Sequence, residues 1–190
     1  MRTSGLRATV SGSFRRYMPL VQEAVYELTE MGIEVLSPAD PVVVDQFGDF
    51  VFVASDKLRS IGLVQRRHFA AIAASDFVWL VSEEGYVGSS ASAEIGFALN
   101  AEVPVYTDEP PLDLTIRQLV RVVPSLKSVP LDLLSPSSAA RGILLDPNAA
   151  VDDAHRHLEI IHSSLMRAGS VSEDETVIDS VTHIRELLNH

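Results

Sequence analysis

One short stretch, Asp76-Phe-Val-Trp-Leu-Val81, constrains this chain more than any other. Its apolar residues run on without a polar one between them, so a strand made from it needs cover on both faces. Segments with helical periodicity lie on either side, at about Lys57 to Ala74 and Ser89 to Asn100. A strand of this kind belongs inside a parallel sheet with helices packed above and below. The composition agrees: 46% of residues are hydrophobic but only 6% aromatic, so the core is built from Val, Leu, Ile and Ala.

The rest of the chain repeats the alternation. Arg7 to Ser11 reads as a strand. It is followed by Gly12-Ser-Phe-Arg-Arg16 and by a helix from Tyr17 to Met31, whose Leu20, Ala24 and Leu28 form an apolar stripe flanked by Val21 and Val25. Gly32 closes that helix as a C′ glycine, and Ile33 to Leu36 is the second strand. Val42 to Val53 is strand-like but interrupted by Asp-Gln-Phe-Gly-Asp, which predicts a flap or hairpin. Glu102 to Tyr106 is the next strand. Thr115 to Val123 is predicted as a helix and Leu126 to Val129 as a last strand. Leu133 to Asn148 reads as a connector, and 149–168 and 173–188 as two helices. The predicted fold is α/β: a flavodoxin- or Rossmann-like doubly wound parallel sheet of about five strands with a C-terminal helical extension. At 190 residues, and roughly 150 residues per domain, the division is an α/β domain over 1–130 and a connector plus helices over 131–190.

Several function classes are disfavoured. The formal net charge is −11 and there are no cysteines. The acid excess argues against binding a nucleic-acid backbone. The missing thiols exclude disulfides, a cysteine nucleophile and cysteine-ligated zinc. No apolar run nears the roughly 18 residues of a membrane span, and the first residues lack the apolar core of a signal peptide. The expectation is a soluble, cytoplasmic protein that acts on a small molecule, with no nucleic acid or membrane partner. His155, Glu159 and His162 share a helix spacing but not that of a metal motif, and read as a solvated face. No metal or other cofactor is implied.

In open α/β sheets ligands sit at the carboxyl ends of the strands, and three loops leave such ends. Gly12, Ser13, Phe14 and Arg15, with Arg16, form a Gly-Ser turn with paired cations suited to an anion, although neither common phosphate fingerprint is present. Gly85-Tyr-Val-Gly-Ser-Ser-Ala-Ser-Ala-Glu-Ile-Gly96 opens a helix carrying Glu94, a carboxylate whose charged form that position favours. Ser37-Pro-Ala-Asp-Pro41 holds Asp40. Beyond it Asp45, Asp49 and Asp56 offer further carboxylates, and Phe47 and Phe50 offer stacking surfaces.

Taken in order, VSGSFRR, VLSPADP and ASDFVWLVSEEGYVGSSASAEIGFALNAEVPVY resemble the nucleoside 2-deoxyribosyltransferase-like superfamily, which includes deoxynucleoside-monophosphate N-glycosidases. The likeness covers about residues 7 to 107. It implies that Glu94 attacks the anomeric carbon and forms a covalent glycosyl intermediate. It assigns Gly12, Ser13, Arg15, Ser90 and Ser92 to the phosphate or ribose, with Phe14 and Gly88 as further substrate-binding residues. Asp40 or His68 would orient or protonate the departing base, and Tyr86 would close the pocket. It also implies a homo-oligomer, a dimer or larger. Gly88 stands where transferases carry Asp, and His68 where many members carry an Asp. Loss of these carboxylates favours an alternative, a non-catalytic nucleotide-binding or sensing module on the same fold.

Overall fold

The computed structural model describes residues 5–134. They fall in two compact units, 5–55 with 68–134 and 56–67. In the first unit β1 (Arg7–Gly12) leads into α1 (Phe14–Glu30), which returns the chain as β2 (Glu34–Ser37). The helix ends where glycine permits it. Gly32 takes φ +76°; its N–H bonds the Thr29 carbonyl at 2.9 Å, and the Ile33 N–H bonds that of Leu28 at 3.0 Å. These are the paired bonds of a Schellman stop.

Residues 42–53 form an antiparallel hairpin of β3 (Val43–Phe47) and β4 (Phe50–Val53). Then α2 (Ile61–Ala74), β5 (Phe77–Val81), α3 (Ser89–Asn100), β6 (Val105–Thr107), α4 (Leu114–Leu119) and β7 (Arg121–Val122) continue the alternation. The main sheet runs in the order β2-β1-β5-β6-β7, and every neighbouring pair is parallel. With the hairpin set aside, this is the 2-1-3-4-5 order of a flavodoxin-like fold. The predicted α/β sheet is therefore present, with the Asp76–Val81 segment supplying its central strand.

Alternation along β5 feeds two cores. Phe77, Trp79 and Val81 join Val21, Val25 and Leu28 of α1 on one face. Val78 and Leu80 join Ala91, Ile95 and Ala98 of α3 on the other. Burying each large aliphatic side chain contributes about 1.5–3 kcal/mol, so both helices are held to the sheet mainly by these contacts. At the start of the central pair, Asp76 Oδ2 accepts the Arg7 N–H at 2.7 Å. The Asp76 N–H bonds the Arg7 carbonyl at 2.8 Å in return, which sets the register of β1 against β5.

Three expectations need correction. Helix α1 begins at Phe14, not Tyr17, so Arg15 and Arg16 lie in its first turn and not in a preceding loop. Tyr17 is the irregular residue within it, at φ −127° and ψ 31°, just before Pro19, whose ring crowds the preceding helical turn. The helix predicted over Thr115 to Val123 stops at Leu119, because β-branched residues there take up strand pairing with β6, and the Val123 N–H bonds the Thr107 carbonyl at 2.8 Å. Leu126 to Val129 is a 3₁₀ turn and not the last strand. Pro124 and Pro130 bracket it and offer no N–H to a ladder. The connector and helices read over Leu133 to Leu188 lie almost wholly outside the described residues, as do His155, Glu159 and His162. No helix among the described residues is long and apolar enough to cross a membrane.

Residues 56–67 are held by local contacts. Ser60 opens α2 by accepting the Val64 N–H on its carbonyl at 2.9 Å and the Leu63 N–H on its hydroxyl at 3.3 Å. The buried Asp56 pairs with Arg67, and its carbonyl accepts from Arg59 at 2.7 Å.

Gly12 marks a close approach of β1 to β5. Its φ is +151°, and a Cβ there would lie 2.8 Å from the Val81 carbonyl oxygen. Replacing Gly12 with alanine is expected to cost about 2 kcal/mol of stability through strain and that clash, measured by urea unfolding at unchanged m-value.

Candidate functional site

Parallel strands end together, and what stands at their carboxyl ends is brought together by the sheet and not by the chain. β1 and β5 are neighbours although α1, β2 and the hairpin separate them in sequence, so the topological switch point lies between them. A buried polar chain is built beside it. Ser11, near the end of β1, donates from its hydroxyl to Glu94 Oε2 on α3. His68 Nε2 on α2 lies 3.4 Å from the same carboxylate oxygen. The other ring nitrogen, Nδ1, is 2.7 Å from the hydroxyl of Ser37, the last residue of β2. Ser11, Ser37, His68 and Glu94 are all buried, Glu94 at 6% exposure. A carboxylate this far from water requires donors, and Ser11 and His68 face it from two different elements.

Each element places its residue for a local reason. Ser11 is within the parallel pairing of β1 with β5, opposite Leu80, so its direction is set by the sheet. Glu94 lies between Ala91, Ile95 and Ala98, all buried on α3. The apolar face that packs this helix against the sheet therefore carries the carboxylate in with it. The His68 ring meets Phe14 edge-on, with centroids 6.3 Å apart, which walls it on the α1 side.

A second group surrounds Tyr86. The Arg16 guanidinium lies over its ring, 4.0 Å from the centroid, and Tyr17 meets it edge-on at 6.3 Å. The Tyr86 hydroxyl occupies the space beside Gly88, 3.4 Å from where a Cβ would stand. Stacking of this kind is worth about 0.5–1 kcal/mol at an exposed position. The loop before α3 is thus tied to the first turn of α1.

The remaining predicted residues are spread more widely. Arg15 is exposed and pairs with Asp49 at the tip of the β3–β4 hairpin. Ser13 holds the N-cap position of α1 without a side-chain bond, and its carbonyl accepts the Arg16 and Tyr17 N–H groups at 3.1 and 2.8 Å. Ser92 donates to the Gly88 carbonyl at 3.0 Å within its own helix, while Ser90 is exposed. Asp40 is exposed too, and its carboxylate accepts the Val42 N–H at 3.2 Å, so it acts within its own turn. Phe47 is exposed and Phe50 packs edge-on against Phe52 at 5.0 Å. Of the predicted catalytic residues, the structure brings His68 and Glu94 together.

Ser11 and Ser37 were absent from the predicted site. Each stands at or next to the last position of a parallel strand, a placement that marks it as a candidate but does not say what it meets. No group of three or more metal-ligating side chains occurs among the described residues. A scan against protein-family models, and searches of curated proteins and of solved structures, return no match to this chain.

Removing the Ser11 hydroxyl deprives a buried carboxylate of a donor. Ser11→Ala is expected to lower stability at neutral pH by about 1–3 kcal/mol, read from urea unfolding.

Proposed function

We propose that this protein cleaves or transfers the N-glycosidic bond of a nucleoside or nucleoside 5′-monophosphate, with Glu94 as nucleophile. The observation that carries the reading is the buried chain Ser37–His68–Glu94–Ser11 beside the β1/β5 switch point. A carboxylate with an imidazole 3.4 Å away combines a nucleophile with a group able to give and take a proton. The resemblance of the VSGSFRR, VLSPADP and SASAEIGFA segments to nucleoside 2-deoxyribosyltransferase-like proteins supports the same chemistry.

In the first step a Glu94 carboxylate oxygen forms a bond to the anomeric carbon while the carbon–nitrogen bond breaks. The electron pair leaves with the base nitrogen, which takes a proton from His68. In the second step water, or the nitrogen of another base, attacks the anomeric carbon. The ester bond to Glu94 breaks, its electron pair returns to the carboxylate, and the proton of the attacking group passes to His68. Splitting one displacement into two gives retention at the anomeric centre. Asp40, held in its own turn, has no part in this scheme.

The first turn of α1 supports the phosphorylated substrate. Cations at a helix N-terminus are disfavoured by the macrodipole by about 0.3–1 kcal/mol each, so the helix itself gives no reason for Arg15 and Arg16. A phosphate near that end would gain from backbone N–H groups and from the guanidinium groups of Arg15 and Arg16, in exchange for their contacts with Asp49 and Tyr86. Such substrates are cytoplasmic metabolites, and the reading carries a cytoplasmic location with it.

Asp40's local engagement favours a second reading, a module that binds nucleotides without cleaving them. Incubation with a panel of nucleosides and their 5′-monophosphates, followed by chromatography for free base, separates the two. Base release by the wild type, reduced at least about a thousandfold in Glu94→Gln, with a sugar adduct on the quenched wild type by intact mass, establishes the enzyme. Tight binding with no base released from any member of the panel establishes the binding module.

A further inference from the structure

The hydroxyl of Ser37 is 2.7 Å from His68 Nδ1, on the side of the ring away from the carboxylate. His68 Nε2 is buried, has no hydrogen-bond partner among the described residues, and lies 3.4 Å from Glu94 Oε2. We propose that Ser37 is a positioning residue: its hydroxyl holds Nδ1 in every protonation state of the ring and so keeps Nε2 turned toward Glu94. The inference rests on the reading of Glu94 and His68 as the reacting pair, and it adds the residue through which His68 is made to serve.

The chemistry selects a hydroxyl here. A neutral ring facing a carboxylate oxygen carries its proton on Nε2, because the opposite tautomer would set a lone pair against that oxygen. Nδ1 then needs a donor, and the Ser37 O–H supplies it. A charged ring carries a proton on Nδ1 as well, and Ser37 Oγ accepts it. After His68 has given its Nε2 proton to the departing base, Glu94 is an ester and no longer charged. The ring then keeps its Nδ1 proton, still accepted by Ser37, and Nε2 is open to the proton of the attacking water. Only the Ser37 O–H rotates through this cycle. A carbonyl or carboxylate in its place accepts but never donates, and would favour the wrong tautomer in the resting site. Among the groups shown facing the ring, Glu94 on α3 is the titratable one; Ser37 on β2 and Phe14 on α1 are neutral.

The test uses the full chain with ¹⁵N-labelled histidine, followed from about pH 5 to 8 where imidazole changes charge. The wild-type His68 ring, when neutral, is expected to carry its proton on Nε2, with Nδ1 shifted as a hydrogen-bonded acceptor. In Ser37→Ala the Nδ1 resonance moves to that of an unbonded imidazole nitrogen. With 2′-deoxynucleoside 5′-monophosphates as probes, kcat falls about tenfold, the fold-change that losing one ordinary hydrogen bond corresponds to, while KM stays near wild type. Ser37→Thr keeps a hydroxyl on a strand residue and restores both readouts. An unchanged Nδ1 resonance and kcat in Ser37→Ala overturns the proposal. So does a threonine variant that is folded by circular dichroism yet behaves as alanine. If the wild type releases no base from these probes, the glycosidic reading fails, and the Nδ1 resonance alone decides the role of Ser37.

Discussion

The approach of β1 to β5 at Gly12 and Val81 is the constraint on which the rest of the structure depends. A Cβ on residue 12 would meet the Val81 carbonyl at 2.8 Å, so the two strand ends can lie side by side only because that residue has no side chain. Their pairing places the end of β1 next to the loop that opens α3. It thereby brings Ser11 within hydrogen-bond reach of Glu94, 83 residues later in the chain. The same pairing divides the β5 side chains between two cores, which holds α1 to one face of the sheet and α3 to the other.

The polar chain at the strand ends follows from that packing. Glu94 lies on the apolar side of α3, between residues that must be buried for the helix to dock. Docking therefore forces a carboxylate into the protein, and the fold must supply its donors. Ser11 donates to it from β1, His68 Nε2 faces it from α2 at 3.4 Å, and the Ser37 hydroxyl on β2 meets the other nitrogen of that ring. A buried carboxylate is costly to maintain unless such partners are present.

Much of this was legible in the sequence. The unbroken apolar run of Asp76–Val81 identified the central strand, because a strand covered on both faces cannot alternate. Gly32 marked a helix end, and Val42–Val53 a hairpin. The glycine loop before α3 drew attention to Glu94, which the structure places in the buried polar chain. Errors fell where local preference and tertiary pairing compete. Residues 120–123 continue a helical pattern, yet their β-branched side chains and the open edge of β6 draw them into a strand. Asp40 has the chemistry of a second carboxylate, but a neighbouring backbone N–H satisfies it. Arg15 and Arg16 were read as loop residues, whereas α1 includes them.

What the sequence determined alone was the order of strands and helices, the parallel character of the sheet, and which loops leave the carboxyl ends of its strands. These follow from periodicity and turn chemistry, which act over a few residues. Only the tertiary structure decided which polar side chains meet. Ser11 with Glu94, and Ser37 with His68 across 31 residues of chain, are pairs set by the strand order β2-β1-β5. A serine at a strand end looks the same in sequence whether it faces water or a buried carboxylate, because that difference arises only when separate elements pack.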